Sequence, residues 1–268
     1  MLIVELARTC SHPASSGASS CRAGGAEPDP GELSRRELRA RTGSCGTAHR
    51  DVMGRAIPPQ ATCSAATLTG RTPGCLMQNP DVNSNHEMCG SEEWRALVRD
   101  SILPWAIGET DLGGDVLEVG PGYGATTDVL AESVPRLTAV EIDPELVAML
   151  TSRYAANGAV VITAGDATAL DFPDDRFSGA ASFTMLHHVS TAELQDRLFV
   201  EVGRVLQSGA PFVLGDSLAS PELEALHDGD TYNPVYPEVL AQRLEAAGFL
   251  DVNVKTNPFG WAALARKR

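Results

Sequence analysis

Two hydrophobic rhythms alternate along the chain from about residue 114 to its end. Short apolar runs of strand length, bounded by Gly, Pro or Asp, occur in "GDVLEVG" (114–120), "RLTAVEID" (136–143), "AVVITAGD" (159–166), "GAASFTML" (179–186), "PFVLGD" (211–216), "DVNVKTN" (251–257) and "FGWAALARK" (259–267). Between them lie stretches with apolar residues three and four apart: "ATTDVLAESV" (125–134), "PELVAMLTSRYAAN" (144–157), "TAELQDRLFVEVGRVLQSG" (191–209) and "PEVLAQRLEAAG" (237–248). The first rhythm predicts strands and the second amphipathic helices. Regular alternation of the two predicts an α/β fold with a doubly wound, mostly parallel seven-stranded sheet, helices on both faces and a ligand at the carboxyl ends of the strands. Only "PFG" separates the last two strands, too little for a crossover, so the final strand is expected to run antiparallel to the rest.

Upstream, a polar lead-in at Met77 passes into a helix pattern with Trp94, Leu97, Val98 and Ile102 on one face. Before Met77 the composition changes: the segment is rich in Ser, Ala, Gly, Arg and Thr, and beyond "GELSRRELRARTG" shows no sustained apolar period. Such a stretch buries too little surface to offset its chain entropy. Residues 1–76 are therefore expected to be a disordered low-complexity extension, or to precede the natural start of the protein, with one domain over 77–268.

Charge sharpens this division. The chain of 268 residues carries 21 Lys and Arg against 35 Asp and Glu, a net charge of −14, yet up to Cys75 there are nine arginines against six acids, so the acidity belongs to the second part. An acidic domain repels phosphate backbones and anionic membranes, which makes nucleic acid an unfavourable partner. Five of the six cysteines (Cys10, Cys21, Cys45, Cys63, Cys75) lie in the leader and Cys89 beyond it, at wide gaps with no paired spacing. They read as free thiols in a reducing cytoplasm, with no metal centre expected. "MLIVEL" is interrupted by Glu5 and Arg8 far short of a signal or membrane-spanning length.

The chemistry begins at "VLEVGPGYGATT". Gly120, Gly122 and Ala125 satisfy a dinucleotide-type G-x-G-x-x-G/A pattern, with Glu141 at the spacing of a ribose-binding acid. Glu118 argues against a dinucleotide, because it would set a carboxylate where the pyrophosphate must sit at a helix N-terminus. S-adenosylmethionine has no phosphate and brings a sulfonium and an ammonium, which a carboxylate suits. In "GDATALDF", Asp166 at a strand end could accept from an adenine amino group while the Ala167 amide donates to the ring; the alternative is a turn-capping Asp.

In order and spacing, "VLEVGPGYG", "VEID", "GDATALDFPDDRF", "TMLHHV" and "RVLQSGAPFVLGD" resemble the successive motifs of class I S-adenosylmethionine-dependent methyltransferases, above all the small-molecule branch related to ubiquinone/menaquinone methyltransferases. The likeness covers about Trp94 to Lys267. It implies that Gly120, Pro121, Gly122 and Gly124 form the cofactor loop and that Glu118 supports the methionine end. It further implies that Glu141 holds the ribose hydroxyls, Ile142 covers an adenine face, Asp166 and Ala167 frame the adenine edge, and Phe183 and Thr184 line the floor near the methionine. Two positions depart from the family pattern: Ser178 stands where an acid is usual and Ala210 where a second Gly is frequent.

Methyl transfer from a sulfonium is an in-line displacement, so the protein has mainly to align the acceptor and take its proton. His187 or His188, just after the fourth strand, is the candidate base; the alternative is a packed structural histidine. Between the fifth strand and its helix, Asp216, His227, Asp230, Tyr232 and Tyr236 are candidates for contact with a small-molecule methyl acceptor in a long, proline-shaped loop. A second resemblance, to ribosomal-RNA adenine dimethyltransferases, lies in "LEVGPGYGATTDVLAE" and "AVEIDPELVAML", but "SFTMLHHV" lacks the Asn, Pro and aromatic with which those enzymes hold a flipped adenine. A non-catalytic binding module of the same fold is the third reading.

Overall fold

The computed structural model describes residues 86–268. The leader, its five cysteines, "GELSRRELRARTG" and the proposed boundary at Met77 lie outside the described residues. Cys89 is a free, half-buried thiol, pushed up to about 11 by burial.

Among the described residues seven strands form one sheet in the order β3-β2-β1-β4-β5-β7-β6. They are β1 (Val116–Val119), β2 (Leu137–Glu141), β3 (Val160–Ala164), β4 (Gly179–Phe183), β5 (Pro211–Ser217), β6 (Phe249–Thr256) and β7 (Gly260–Lys267). The first five pair in parallel, and β7 runs antiparallel to both β5 and β6. The hairpin expected from "PFG" is thus present, and it inserts the last strand between β5 and β6. β1, β2 and β4 are buried along their whole length, as central strands covered on both faces must be, whereas the edge strands β3 and β6 mix buried and exposed positions.

Seven α-helices among the described residues accompany the sheet: α1 (Glu92–Leu97), α2 (Leu103–Ile107), α3 (Ala125–Ser133), α4 (Pro144–Arg153), α5 (Ala192–Val205), α6 (Pro221–Leu226) and α7 (Pro237–Ala246). A π-helical turn, Val98–Ile102, joins α1 to α2. On one face Trp94, Val98, Leu103 and Leu130 pack against Val116, Leu137 and Val213. On the other, the apolar side of α5 (Leu198, Phe199, Val202) and Leu240 and Leu244 of α7 close over Leu117, Phe212 and Phe249. Local signals place the helix starts. Asp143 caps α4 by accepting from Glu145 and Leu146 N–H at 2.7 and 3.1 Å ahead of Pro144, and Thr191 caps α5 by accepting from Leu194 N–H at 3.2 Å.

Several boundaries differ from the sequence pattern for local reasons. The fourth strand stops at Phe183 because Thr184 takes φ +51°, a left-handed conformation unusual for a β-branched residue, and the chain then enters a 3₁₀ turn over Leu186–His188. The helix expected over 191–209 ends at Val205, where Leu206 turns extended and bridges Phe177. Inside the stretch read as a long loop lies α6, a short helix capped by Ser220, which accepts from Leu223 N–H at 3.2 Å. Ser178 ties β4 to the start of β1, since its hydroxyl accepts from Asp115 N–H at 2.9 Å and lies 3.0 Å from the Leu112 and Asp115 carbonyls.

Candidate active site

The order of strands reverses between β1 and β4, and the residues singled out in the sequence gather at the carboxyl ends flanking that point. Three closely spaced glycines after β1 take positive φ: Gly120 (+68°), Gly122 (+54°) and Gly124 (+81°). At Gly120 the reason is also spatial, since a Cβ there would stand 2.1 Å from Met185 Cγ. The glycine loop therefore lies directly against the segment that carries the histidine pair. Pro121 closes the turn, its carbonyl accepting from Gly124 N–H at 2.8 Å.

Glu118 sits in β1 between Ala139 of β2 and Ala181 of β4 and is only 1% exposed. Neither carboxylate oxygen has a hydrogen-bond partner. Burial pushes its carboxyl up to about 8, with the nearby Thr127 hydroxyl offsetting part of the rise and the charge of Glu141 adding to it. An orphaned buried carboxylate is costly, and a cationic ligand relieves the cost. Glu141 is bound differently. Its Oε2 accepts from Gly122 N–H at 3.0 Å and its Oε1 from Ile142 and Asp143 N–H at 2.8 and 3.0 Å, so the side chain clamps the glycine loop to the end of β2. Burial raises its pKa against the pull of these three N–H groups.

Ile142, next in the chain, leaves 53% of its surface exposed, an apolar cover beside the loop. Asp166, two residues beyond β3, accepts from the Thr168 amide and hydroxyl through Oδ1, both at 2.8 Å. That is the turn-capping role weighed against adenine recognition, and it occupies one carboxylate oxygen only. Ala167 packs against the core. Phe183 is buried at the end of β4, and Thr184 donates its N–H to the Gly215 carbonyl at 2.9 Å, joining the ends of β4 and β5.

The histidine pair divides. His187 Nδ1 lies 2.7 Å from Asp216 Oδ1, and its backbone N–H donates to Asp216 Oδ2 at 3.2 Å. Burial alone would lower the imidazole, but the Asp216 carboxylate outweighs it and holds His187 above its ordinary value. His188 turns the other way, toward His86, His227 and Asp230. Burial, followed by the neighbouring imidazoles of His187, His86 and His227, pushes it down to about 2. Gln195 fixes the arrangement: its side-chain amide donates to the carbonyls of Leu186 and Asn233, both at 2.9 Å, while Asn233 N–H donates to the His187 carbonyl at 2.7 Å.

Asp216, His227 and Tyr232 thus stand around the histidine turn, with Tyr232 stacked on His227 at 4.7 Å between centroids. Tyr236, at the N-cap of α7, is 58% exposed and does not join this cluster. Sequence reasoning missed His86, which no spacing linked to the other histidines, and Met185, whose contact with Gly120 is purely tertiary. No metal centre was expected, yet His86, His188 and His227 present ligand atoms within 4.8 Å of one another.

Comparison with known proteins agrees with this fold. The family model described as "Methyltransferase domain" matches residues 117–214, from β1 to β5. The ribosomal RNA small subunit methyltransferase A of Cupriavidus pinatubonensis is 46% identical over 78 residues, 28% of this chain and 27% of its own length. The probable ribosomal RNA small subunit methyltransferase A of Methanosarcina barkeri is 37% identical over 87 residues, 32% of this chain and 30% of its own. The chain thus spans about a third or less of these curated relatives. Among solved structures, a Pyrococcus horikoshii protein superposes with a TM-score of 0.55 at 16% identity, covering 66% of this chain and 92% of that one. The Haemonchus contortus phosphoethanolamine N-methyltransferase 2, solved with S-adenosyl-L-methionine, superposes with a TM-score of 0.54 at 14% identity over 69% and 60% of the two chains. These likenesses share the fold. Residues 117–214 of the chain thus match a methyltransferase domain, and S-adenosylmethionine is the cofactor that this family implies. Among the described residues no helix is long and apolar enough to cross a membrane.

Proposed function

We propose that the protein moves a methyl group from S-adenosylmethionine to a small-molecule acceptor held between the histidine turn and the segment from Asp216 to Tyr236, as a cytoplasmic enzyme of the branch related to ubiquinone/menaquinone methyltransferases, with its domain over 77–268. The observation that carries this reading is the His187–Asp216 pair, 2.7 Å apart and joined through Met185 to the glycine loop. The residues fit the cofactor: the unpartnered Glu118 carboxylate answers its cationic end, the glycines admit close approach of the backbone, Ile142 offers an apolar cover and Asp166 keeps one oxygen for the adenine edge. Glu141 holds the loop in shape and meets the ribose hydroxyls. Phe183 and Thr184 form the floor.

When bound, S-adenosylmethionine supplies an electrophilic methyl group. The rest falls to the chain. Asp216 orients His187 and favours its protonated form, so that the other ring nitrogen can take a proton from an acceptor hydroxyl, amine or acidic carbon as the new bond forms. The His188 ring lies beside that of His187, 4.3 Å between centroids, but only His187 meets Asp216, which makes His187 the base.

The names of the curated relatives favour a second reading, an enzyme acting on ribosomal RNA, over matches of 78 and 87 residues. Against it stands the segment after β4, "FTMLHHV", which places two histidines where a flipped adenine needs an Asn-Pro-aromatic platform, on a chain of net charge −14. Labelled S-adenosylmethionine incubated with phenols, amines, quinone precursors and small acids, and in parallel with unmethylated small ribosomal subunits, separates the readings. Label in a small molecule supports the proposal. Label in RNA overturns it, and cofactor binding with transfer to neither class points to the non-catalytic module.

A further inference from the structure

The buried polar groups beside the His187–Asp216 pair border the proposed acceptor site, but the proton transfer assigned to His187 uses none of them. His86, just before α1, His188 in the turn after β4 and His227 at the end of α6 come from three distant parts of the chain and meet at centroid distances of 4.9 Å (His86–His188), 4.6 Å (His86–His227) and 5.1 Å (His188–His227). One nitrogen of each is buried without a hydrogen-bond partner: His86 Nε2, His188 Nδ1 and His227 Nε2. A fourth such atom, Asp230 Oδ2, lies 3.4 Å from His86 Nε2 and 3.7 Å from His188 Nδ1. Four orphaned polar atoms at one point is a concentration that packing does not explain, since native interiors satisfy such groups almost without exception.

From this juxtaposition we infer that His86, His188, His227 and Asp230 form a binding site for a divalent first-row transition metal ion, of the zinc type. Ligand chemistry selects the ion: three imidazoles and one carboxylate suit zinc and its neighbours, whereas magnesium and calcium take oxygen. Geometry agrees. Arms of about 2.0–2.1 Å make a tetrahedron with edges of about 3.3 Å, which the two Asp230 distances already approach, and nitrogens within 4.8 Å close onto one ion by shifts of about an ångström each. The tautomer of one ligand is set as well. His227 Nδ1 lies 2.6 Å from the Leu223 carbonyl, to which it donates, leaving the lone pair on Nε2 facing the cluster, the outer-shell arrangement typical of ligating histidines. Stacking of Tyr232 on His227 holds the ring further. Metal binding here needs neither cofactor nor acceptor, so its test is independent of the acceptor reading.

The test uses the full chain, stripped with a chelator and kept reduced so that its six cysteines carry no disulfide. Co²⁺ is titrated in, then displaced with Zn²⁺. One equivalent of Co²⁺ with the visible d–d bands of a nitrogen and oxygen site, and weakening by at least about tenfold in His227→Gln and in Asp230→Asn, is the expected result. A thiolate charge-transfer band, no binding near stoichiometric concentrations, or unchanged affinity in both folded variants overturns it. Should circular dichroism show that a variant has lost its fold, protection of the wild type decides. Zn²⁺ is expected to shield His86, His188 and His227 from diethyl pyrocarbonate, read by peptide mass spectrometry, and equal modification with and without Zn²⁺ refutes the site.

Discussion

His187 Nδ1, in the turn after β4, lies 2.7 Å from Asp216 Oδ1 at the end of β5, and the same carboxylate accepts the His187 backbone N–H at 3.2 Å. Two contacts from one residue to one side chain fix both the backbone and the ring of the histidine. Replacing His187 with Gln keeps approximate shape and some hydrogen bonding while removing the base. Turnover is expected to fall by about 10²–10⁴-fold with cofactor affinity unchanged. If His187 merely packs, the melting temperature falls first and turnover drops only in proportion to the folded fraction.

Glu118 makes a prediction about pH. In the folded chain its carboxyl remains protonated up to about 8, because burial disfavours the charge, while in the unfolded chain it ionises in the ordinary carboxylate range. The unfolded state therefore binds fewer protons between those limits, and the contribution of this group to stability, full below the ordinary range, is lost as pH rises through about 8. Melting curves of wild type and Glu118→Gln across this window should converge at the acid end, with the wild type falling away toward the alkaline end. Binding of a cationic cofactor favours the carboxylate, so below about 8 it should release a proton, detectable by calorimetry in buffers of different ionisation enthalpy.

Glu141→Ala removes the acceptor of three backbone N–H groups as well as any bond to the ribose. Cofactor affinity is expected to fall by about 1.5–3 kcal/mol, on the order of 10- to 150-fold, with a lowered melting temperature from the freed glycine loop. Glu141→Gln, which keeps one acceptor oxygen and sets an NH₂ against the remaining N–H, should recover only part of the stability. Equal stability in all three proteins would show that the clamp contributes nothing.

Deleting residues 1–76 should leave the melting temperature and cofactor affinity within error of the full chain, because every proposed site residue comes from the remainder and the described residues alone form two core clusters on the sheet. Unfolding or lost binding in the truncated protein moves the domain boundary upstream.

The sheet was legible because its signals are local. Apolar runs of strand length and Pro- or Thr-led helices recur with a period that only a wound α/β sheet accommodates, and the short "PFG" link set the direction of the last strand. Glu118 was legible for a chemical reason: a carboxylate two residues before a glycine turn is out of place beside phosphates. What sequence could not supply was contact across the chain. α6 was missed because six residues show too little of an apolar period to stand out from a loop containing Asn-Pro and Tyr-Pro. The partition of the two histidines depends on which neighbour each ring meets, Asp216 for one and His86 for the other, and neither partner stands at any signalling distance in sequence. Glu141 was expected at the ribose, and only the folded loop shows it bonded to Gly122.

The glycine loop, with Glu118 at its base, should receive S-adenosylmethionine and not a dinucleotide. Calorimetric titration of the full chain with each ligand tests this directly. One equivalent of S-adenosylmethionine should bind, with no heat from NADH at the same concentrations, and Glu118→Ala should abolish most of the affinity. Saturable binding of NADH, with none of S-adenosylmethionine, would contradict it.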